Sequence, residues 1–296
     1  MVVCINGEDE NNKTEKEVNK FFLDHNEIPS HIIVTKKVGK NNAINRIVEF
    51  AKKMDDIEIV HFFDDDVILE KGTLLINIEE LIKEENIKSR PLIIGSAFIA
   101  VGYSFSFFYR KYSFFRAVLS WIFHNIIIQP YLLEAERPRF CEGPSFGLYL
   151  KYFPTLPADE VGITDDAFLS DFFAIKGKAD YLQNRMLSII KPANSISYIK
   201  VPSSFKEWKM QQIRIHAGIE RAFSYFGSER KFLEEYFSWN YAFNKKSRTN
   251  LQTKSLLKII LYSIYMHLHE KNRKYAERFI IKNQLPRWSI AESTKI

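Results

Sequence analysis

At 296 residues, with 46% hydrophobic and 26% charged positions, the chain has the apolar content for a folded core, which excludes a disordered or low-complexity polypeptide. Its formal charge of +6 favours anionic partners, such as nucleotide diphosphates or acidic lipid headgroups, while the dispersed basic residues form no nucleic-acid recognition motif, so no nucleic acid is expected as a partner. Only Cys4 and Cys141 are present, far apart and outside any C-x-x-C spacing, which excludes a disulfide framework and a cysteine-rich zinc site and makes a reducing cytoplasm the simplest compartment.

Over the first two-thirds, short β-rich runs alternate with helical patterns, which predicts an α/β domain with a mostly parallel sheet flanked by helices. Strands are expected at Val2–Ile5, Ile32–Thr35 and Ile57–Phe63, and helices over about Lys16–Leu23, Asn42–Met54 and Thr73–Glu85. The start MVVCINGEDENN lacks the basic-then-apolar pattern of a secretory signal. Leu92–Tyr109, rich in Gly, Ser and β-branched residues, reads as a buried strand plus loop. Ala117–Leu133 is an apolar run interrupted by Asn125, Gln129 and Pro130, with Arg110, Lys111 and Arg116 just upstream. That pattern suits an interfacial or half-buried amphipathic helix, and equally a core helix in a Phe-rich chain. After roughly Pro202 long helical patterns take over, giving a first domain over 1–202 and a helical region over 203–296, with KKSR near position 246 as a loop between helices. In that region LLKIILYSIYMHL is too short for a membrane span and is interrupted by Lys258, but its basic, aromatic character suits peripheral contact with the cytoplasmic face of a membrane. His267, His269 and Glu270 are read as polar-face residues without a role.

Four segments carry side chains fit for chemistry. IEIVHFFDDDVILEKGTL is an apolar strand that ends in three carboxylates, at the end where open α/β sheets bind ligands. Alternation along an extended chain points Asp64 and Asp66 the same way and Asp65 oppositely, so the first two can share Mg²⁺ or Mn²⁺; a solvated acidic turn would have the same pattern. In GITDDAFLSDFFAIKG, Thr164 can cap a helix whose first turn holds Asp165 and Asp166, a sufficient structural reason for both, while a catalytic reading makes one of them a general base. Gln211, Gln212 and Arg214 lie in QQIRIH on a predicted helix, where an arginine either clamps a diphosphate or belongs to a solvated basic face. In VGKNNAINRIVEFAK, Gly39 and Lys40 precede a helix whose amino terminus can meet phosphate, although a Walker pattern is lacking.

In order and spacing these segments resemble the family-2 glycosyltransferases, inverting enzymes of GT-A fold, and within them the cellulose, chitin and hyaluronan synthase branch. The resemblance runs from near residue 1 to about residue 220. VVCINGEDENNKTEKEVNKFF is similar to the family's strand ending in Asp-Asp-Gly, with Ile5 and Asn6 at the two Asp positions before Gly7. GKNNAIN resembles Gly-Lys-x-x-Ala-x-Asn through Lys40, Ala43 and Asn45, and Asp64 and Asp66 match the family's D-x-D. FCEGPSFGLYLKYF resembles the segment near the acceptor, through Gly143; Thr164-Asp165-Asp166 resembles Thr-Glu-Asp; Gln211, Gln212 and Arg214 match the start of Gln-x-x-Arg-Trp. Ile215 stands where the family has Trp, Asn6 where it has a base-binding Asp, and its opening strand with a Pro-x-x-Asn-Glu loop would precede residue 1.

The resemblance implies a metal-dependent transfer of a sugar, UDP-linked by analogy, from a nucleoside diphosphate sugar to a glycan or lipid-linked acceptor. It implies Asp166 as catalytic base and Arg214 on the leaving diphosphate. Asn6, Lys40, Asp64, Gly143, Asp165, Gln211 and Gln212 would contact the nucleotide sugar, and Asp64 with Asp66 would hold Mg²⁺ or Mn²⁺. Two rivals stand beside it. One is a haloacid-dehalogenase-like phosphotransferase, which also uses D-x-D after a strand. The other is an inactive glycosyltransferase remnant that serves as a binding protein.

Overall fold

In the computed structural model, residues 1–7, 12–36, 38–88, 90–101, 103–128, 140–141, 145–184, 186–200, 202, 204–237 and 256–281 are described. The chain begins with β1 (Val2–Asn6), α1 (Lys13–Asp24), β2 (His31–Thr35) and α2 (Lys40–Ala51). β1 and β2 pair in parallel, as the helical crossover between them requires. β3 (Ile59–Phe63) then leads through a turn into β4 (Val67–Leu69) and α3 (Thr73–Lys88). β5 (Ile93–Gly95) and β6 (Ala97–Val101) follow, separated only by Ser96.

The expectation of a mostly parallel sheet is corrected: beside the parallel β1–β2 pair the strands form two mixed sheets, of four and three strands, and three of the six pairings are antiparallel. Two of the three arise from β7 (Ser145–Tyr149), which enters between β3 and β5 and runs antiparallel to both. β8 (Ile189–Ile190) completes the four-stranded sheet β3-β7-β5-β8, and β9 (Ile196–Lys200) lies between β4 and β6 in the three-stranded one. All five β7 residues are buried, and Phe146 and Leu148 belong to the main core with Ile93, Phe168, Leu169 and Phe173. Gly147 is required in β7 because a Cβ there would lie 2.7 Å from His61 Cδ2. Burial drives His61 down to about 4, so at neutral pH its uncharged ring accepts a hydrogen bond at Nε2 from the Asn77 amide (2.9 Å).

Leu92–Tyr109 holds two strands and then a helix, α4 (Phe105–Lys111), where a loop was expected; the Ser104 hydroxyl accepts from the Phe107 amide and starts it. α5 (Phe114–Ile122) continues into a π-helical turn at Phe123–Ile128. The remainder of the expected 117–133 helix lies outside the described residues.

α6 (Asp165–Lys176) and α7 (Lys178–Asn184) precede β8, and the helical region comprises α8 (Phe205–Tyr225), α9 (Arg230–Tyr236) and α10 (Leu256–Ile281). α8 and α10 pack through Ile213, Ala217 and Ala276. His269 is buried in this seam, edge-on to His216 with ring centroids 4.5 Å apart, instead of lying on a polar face. Among the described residues, no helix is long and apolar enough to cross a membrane. The KKSR loop lies outside them.

Candidate functional site

Three carboxylates cannot continue a core strand, and β3 ends at Phe63, with the Val67 amide closing a turn onto the Asp64 carbonyl (3.3 Å). The strand's alternation outlives its hydrogen bonds: Asp64 and Asp66 are half-buried and Asp65 is exposed. The Asp64 carboxylate meets Lys40 Nζ at 2.6 Å, and the same ammonium group lies 3.0 Å from Asp165 Oδ2. Lys40, the first residue of α2, therefore joins the end of β3 to the start of α6.

The approach to Lys40 is built from Gly39 and Asp159. Gly39 has a φ of 128°, and a Cβ there would collide with the Asp159 carboxylate. Asp159 accepts from the backbone amides of Asn41 (3.1 Å) and Asn42 (2.9 Å). These are helix-start amides, and the expectation that they receive phosphate is corrected: the protein's own carboxylate occupies them. Asn41 donates its side-chain amide to the carbonyls of Pro157 and Ile163, and Asn45 exchanges two hydrogen bonds with the Leu156 backbone (3.0 and 2.9 Å). The asparagines of GKNNAIN thus tie the segment leading into α6 against α2, which fixes where Asp165 begins its helix. Asn6 lies beside this junction, donating to the Gly39 carbonyl at 2.8 Å.

Thr164 occupies the capping position of α6, but its side chain makes no capping hydrogen bond, contrary to expectation. It lies against Gly218 of α8, where an added Cβ would sit 2.8 Å from Thr164 Cγ2. The Asp166 carboxylate instead accepts from the Ala167 amide (2.8 Å). Through the contact at Gly218, α8 brings Arg214 into the field of Asp166, Asp165, Asp64 and Asp66. Burial lowers the Arg214 pKa, and those four carboxylates oppose the effect. Burial would also lower Lys40, but Asp165 and Asp64 outweigh it and hold the ammonium well above the usual lysine value. Asp64 is pushed up, by burial first, with Lys40 acting against it.

The structure thus brings Lys40, Asp64, Asp66, Asp165, Asp166 and Arg214 into one electrostatic cluster from four separate segments. Gln212 is buried and Gln211 half-buried on the same helix as Arg214, whereas Gly143 lies outside the described residues. Among the described residues no group of three or more His, Cys, Asp or Glu side chains is placed to hold a metal ion, and Asp64 is engaged by Lys40. A divalent ion would therefore take few protein ligands, Asp66 and Asp64, and need phosphate oxygens for the rest, as Mg²⁺ commonly does. Sequence reasoning missed Asp171, buried one turn beyond Asp166; burial first, and the Asp166 charge second, raise it to about 8. The only sign of it was an Asp inside FLSDFFAI, a stretch apolar but for Ser170 and that Asp. Compared with known proteins, the chain matches no family model, and no curated protein matches it.

Proposed function

We propose that this protein is an inverting, metal-dependent glycosyltransferase of GT-A type that uses a nucleoside diphosphate sugar. The observation that carries the reading is the meeting of Lys40, Asp64, Asp66, Asp165, Asp166 and Arg214, drawn from segments up to 174 positions apart, from 40 to 214. A merely solvated acidic turn does not need a half-buried arginine and a lysine from two other helices. With all groups ionised, four carboxylates against two cations leave the cluster at −2, in a chain whose formal charge is +6. A diphosphate alone would be repelled by that cluster; one accompanied by a divalent cation would not.

In this reading Asp166 removes the proton from an acceptor hydroxyl, the oxygen attacks the anomeric carbon, and the bond to the diphosphate breaks with inversion. A metal on Asp66, with Asp64, supplies charge neutralisation for the departing diphosphate when it is bound. Arg214 stabilises the same developing charge, and Lys40 sets the spacing of Asp64 and Asp165. Asn6, beside Gly39, and Gln211 and Gln212 line the approaches to the donor.

Thermal unfolding with UDP, GDP and dTDP, each with and without Mn²⁺, tests the reading. One nucleotide should raise the melting temperature only with Mn²⁺, and Asp66→Ala should abolish the shift. Asp166→Asn should keep that shift while sugar transfer falls by about 10²–10⁴-fold. A folded protein that ignores every nucleotide would overturn the proposal and favour an inactive binding protein; a labile aspartyl phosphate would favour the phosphotransferase.

A further inference from the structure

We infer that the α4–α5 hairpin is a docking surface for an anionic lipid bilayer. Its inner face is closed: Phe108 and Ala117 are fully buried, and His124 packs edge-on to Tyr103 and stacked on Phe108. Its outer face is open. Phe105, Tyr109 and Phe114 touch one another there, Tyr109 is 57% exposed, and Phe114 and Phe115 are 65% and 73% exposed, with Leu119 continuing the strip along α5. Exposed phenylalanines clustered in this way are costly in water and characteristic of a surface that meets another phase or partner.

Charge chooses the occupant. Arg110, Lys111 and Arg116 are exposed on the same hairpin, with Lys111 and Arg116 over the Tyr112 ring. From Asn86 to Leu133 the sequence contains no Asp or Glu, so residues 103–128 carry three cations and no acidic side chain. An aromatic strip flanked by cations, on a short helical hairpin that does not span, matches the interfacial layer of a bilayer with anionic headgroups. The far end of the hairpin is anchored to the core, since Phe123 packs edge-on to Phe205 (5.2 Å) and Trp208 (5.7 Å) at the start of α8. Docking would therefore bring the helix that carries Gln211, Gln212 and Arg214 close to the lipid surface. The inference does not depend on the transferase reading, since a chain that binds no nucleotide can still bind the bilayer through this face.

Flotation with vesicles of phosphatidylcholine containing about 30% phosphatidylserine, and with pure phosphatidylcholine, tests it on the whole chain. Binding is expected to the anionic vesicles and to weaken with salt. Arg110→Glu/Lys111→Glu/Arg116→Glu should lower partitioning about a hundredfold or more, and Phe114→Ser/Phe115→Ser at least about tenfold, with unchanged melting curves. Phe115→Trp adds a reporter to four native tryptophans. Its fluorescence should be quenched by brominated lipid in anionic vesicles beyond the quenching of the parent chain, a readout available even if a double or triple variant misfolds. Absence of anionic-vesicle binding, binding that the folded variants retain, or an unquenched Phe115→Trp would each overturn the inference. So would sedimentation showing a dimer that Phe114→Ser/Phe115→Ser dissociates while the parent ignores vesicles, because the face would then belong to a second copy.

Discussion

The four-stranded sheet and the β1–β2 pair both carry residues of the candidate site, yet they are built to different depths. In the first, every residue of β5 and β7 is buried. In the second, Ile5 is the one buried strand residue and α1 has no buried residue at all. Asp64 leaves an edge strand, β3, whose one buried residue is Val60 but which is paired along its whole length to the fully buried β7, while Asn6 leaves a two-stranded pair and is joined to the rest by its bond to Gly39. A site position is only as well defined as the frame beneath it, and two-stranded sheets are marginal frames.

Side-chain truncation gives the sharpest test of this contrast. Phe146→Ala, in the fully buried strand, should cost about 3–5 kcal/mol in urea unfolding, whereas Phe21→Ala, on an α1 ring that is 46% exposed, should stay within about 0.5 kcal/mol. Equal losses would end the distinction between a deep and a shallow frame. Next in size, Asp159→Ala removes the carboxylate that accepts from the Asn41 and Asn42 amides, for an expected loss of about 1–2 kcal/mol. Free phosphate should recover part of that loss, because it can take the vacated helix end.

An effect read as a slope concerns Asp171. Its folded pKa of about 8 lies above the usual carboxyl value of 3.8, so between those limits the folded state holds a proton that the unfolded state has released. Stability consequently falls as pH rises from about 4 to about 8. Asp171→Asn should flatten that fall and melt several degrees above the parent at pH 9. A parallel pH profile would show that the carboxyl is solvated in solution.

Much of the frame was legible locally. VVCIN, HIIVT and IVHFF are short apolar runs between polar segments, and each became a strand, the third starting two residues later than expected, at Ile59. The partner choice of SFGLY was not legible, because pairing with β3 and β5 is decided by packing around Gly147 and His61 across long separations. The same limit hid Asp159, whose role depends on meeting Asn41 at a separation of 118 residues. Thr164 misled for the opposite reason: a capping residue at the right place was taken up by contact with Gly218. Lys40, Asp64, Asp165 and Arg214 were each ambiguous alone; only the family resemblance of the set implied one location, and the fold brings them together.

The contact at Gly218 has a mechanical meaning. Arg214 and Ala222 lie one turn to either side of it on the same face of α8, so sliding the helix along its axis would drive a side chain into the space Thr164 already fills. Arg214 and the start of α6 are thereby meshed like gear teeth, free to tilt as a unit but not to slip past each other. Any closure around a bound molecule must then be taken up by the chain on either side of that pair, leaving the span between arginine and aspartate constant throughout the stroke.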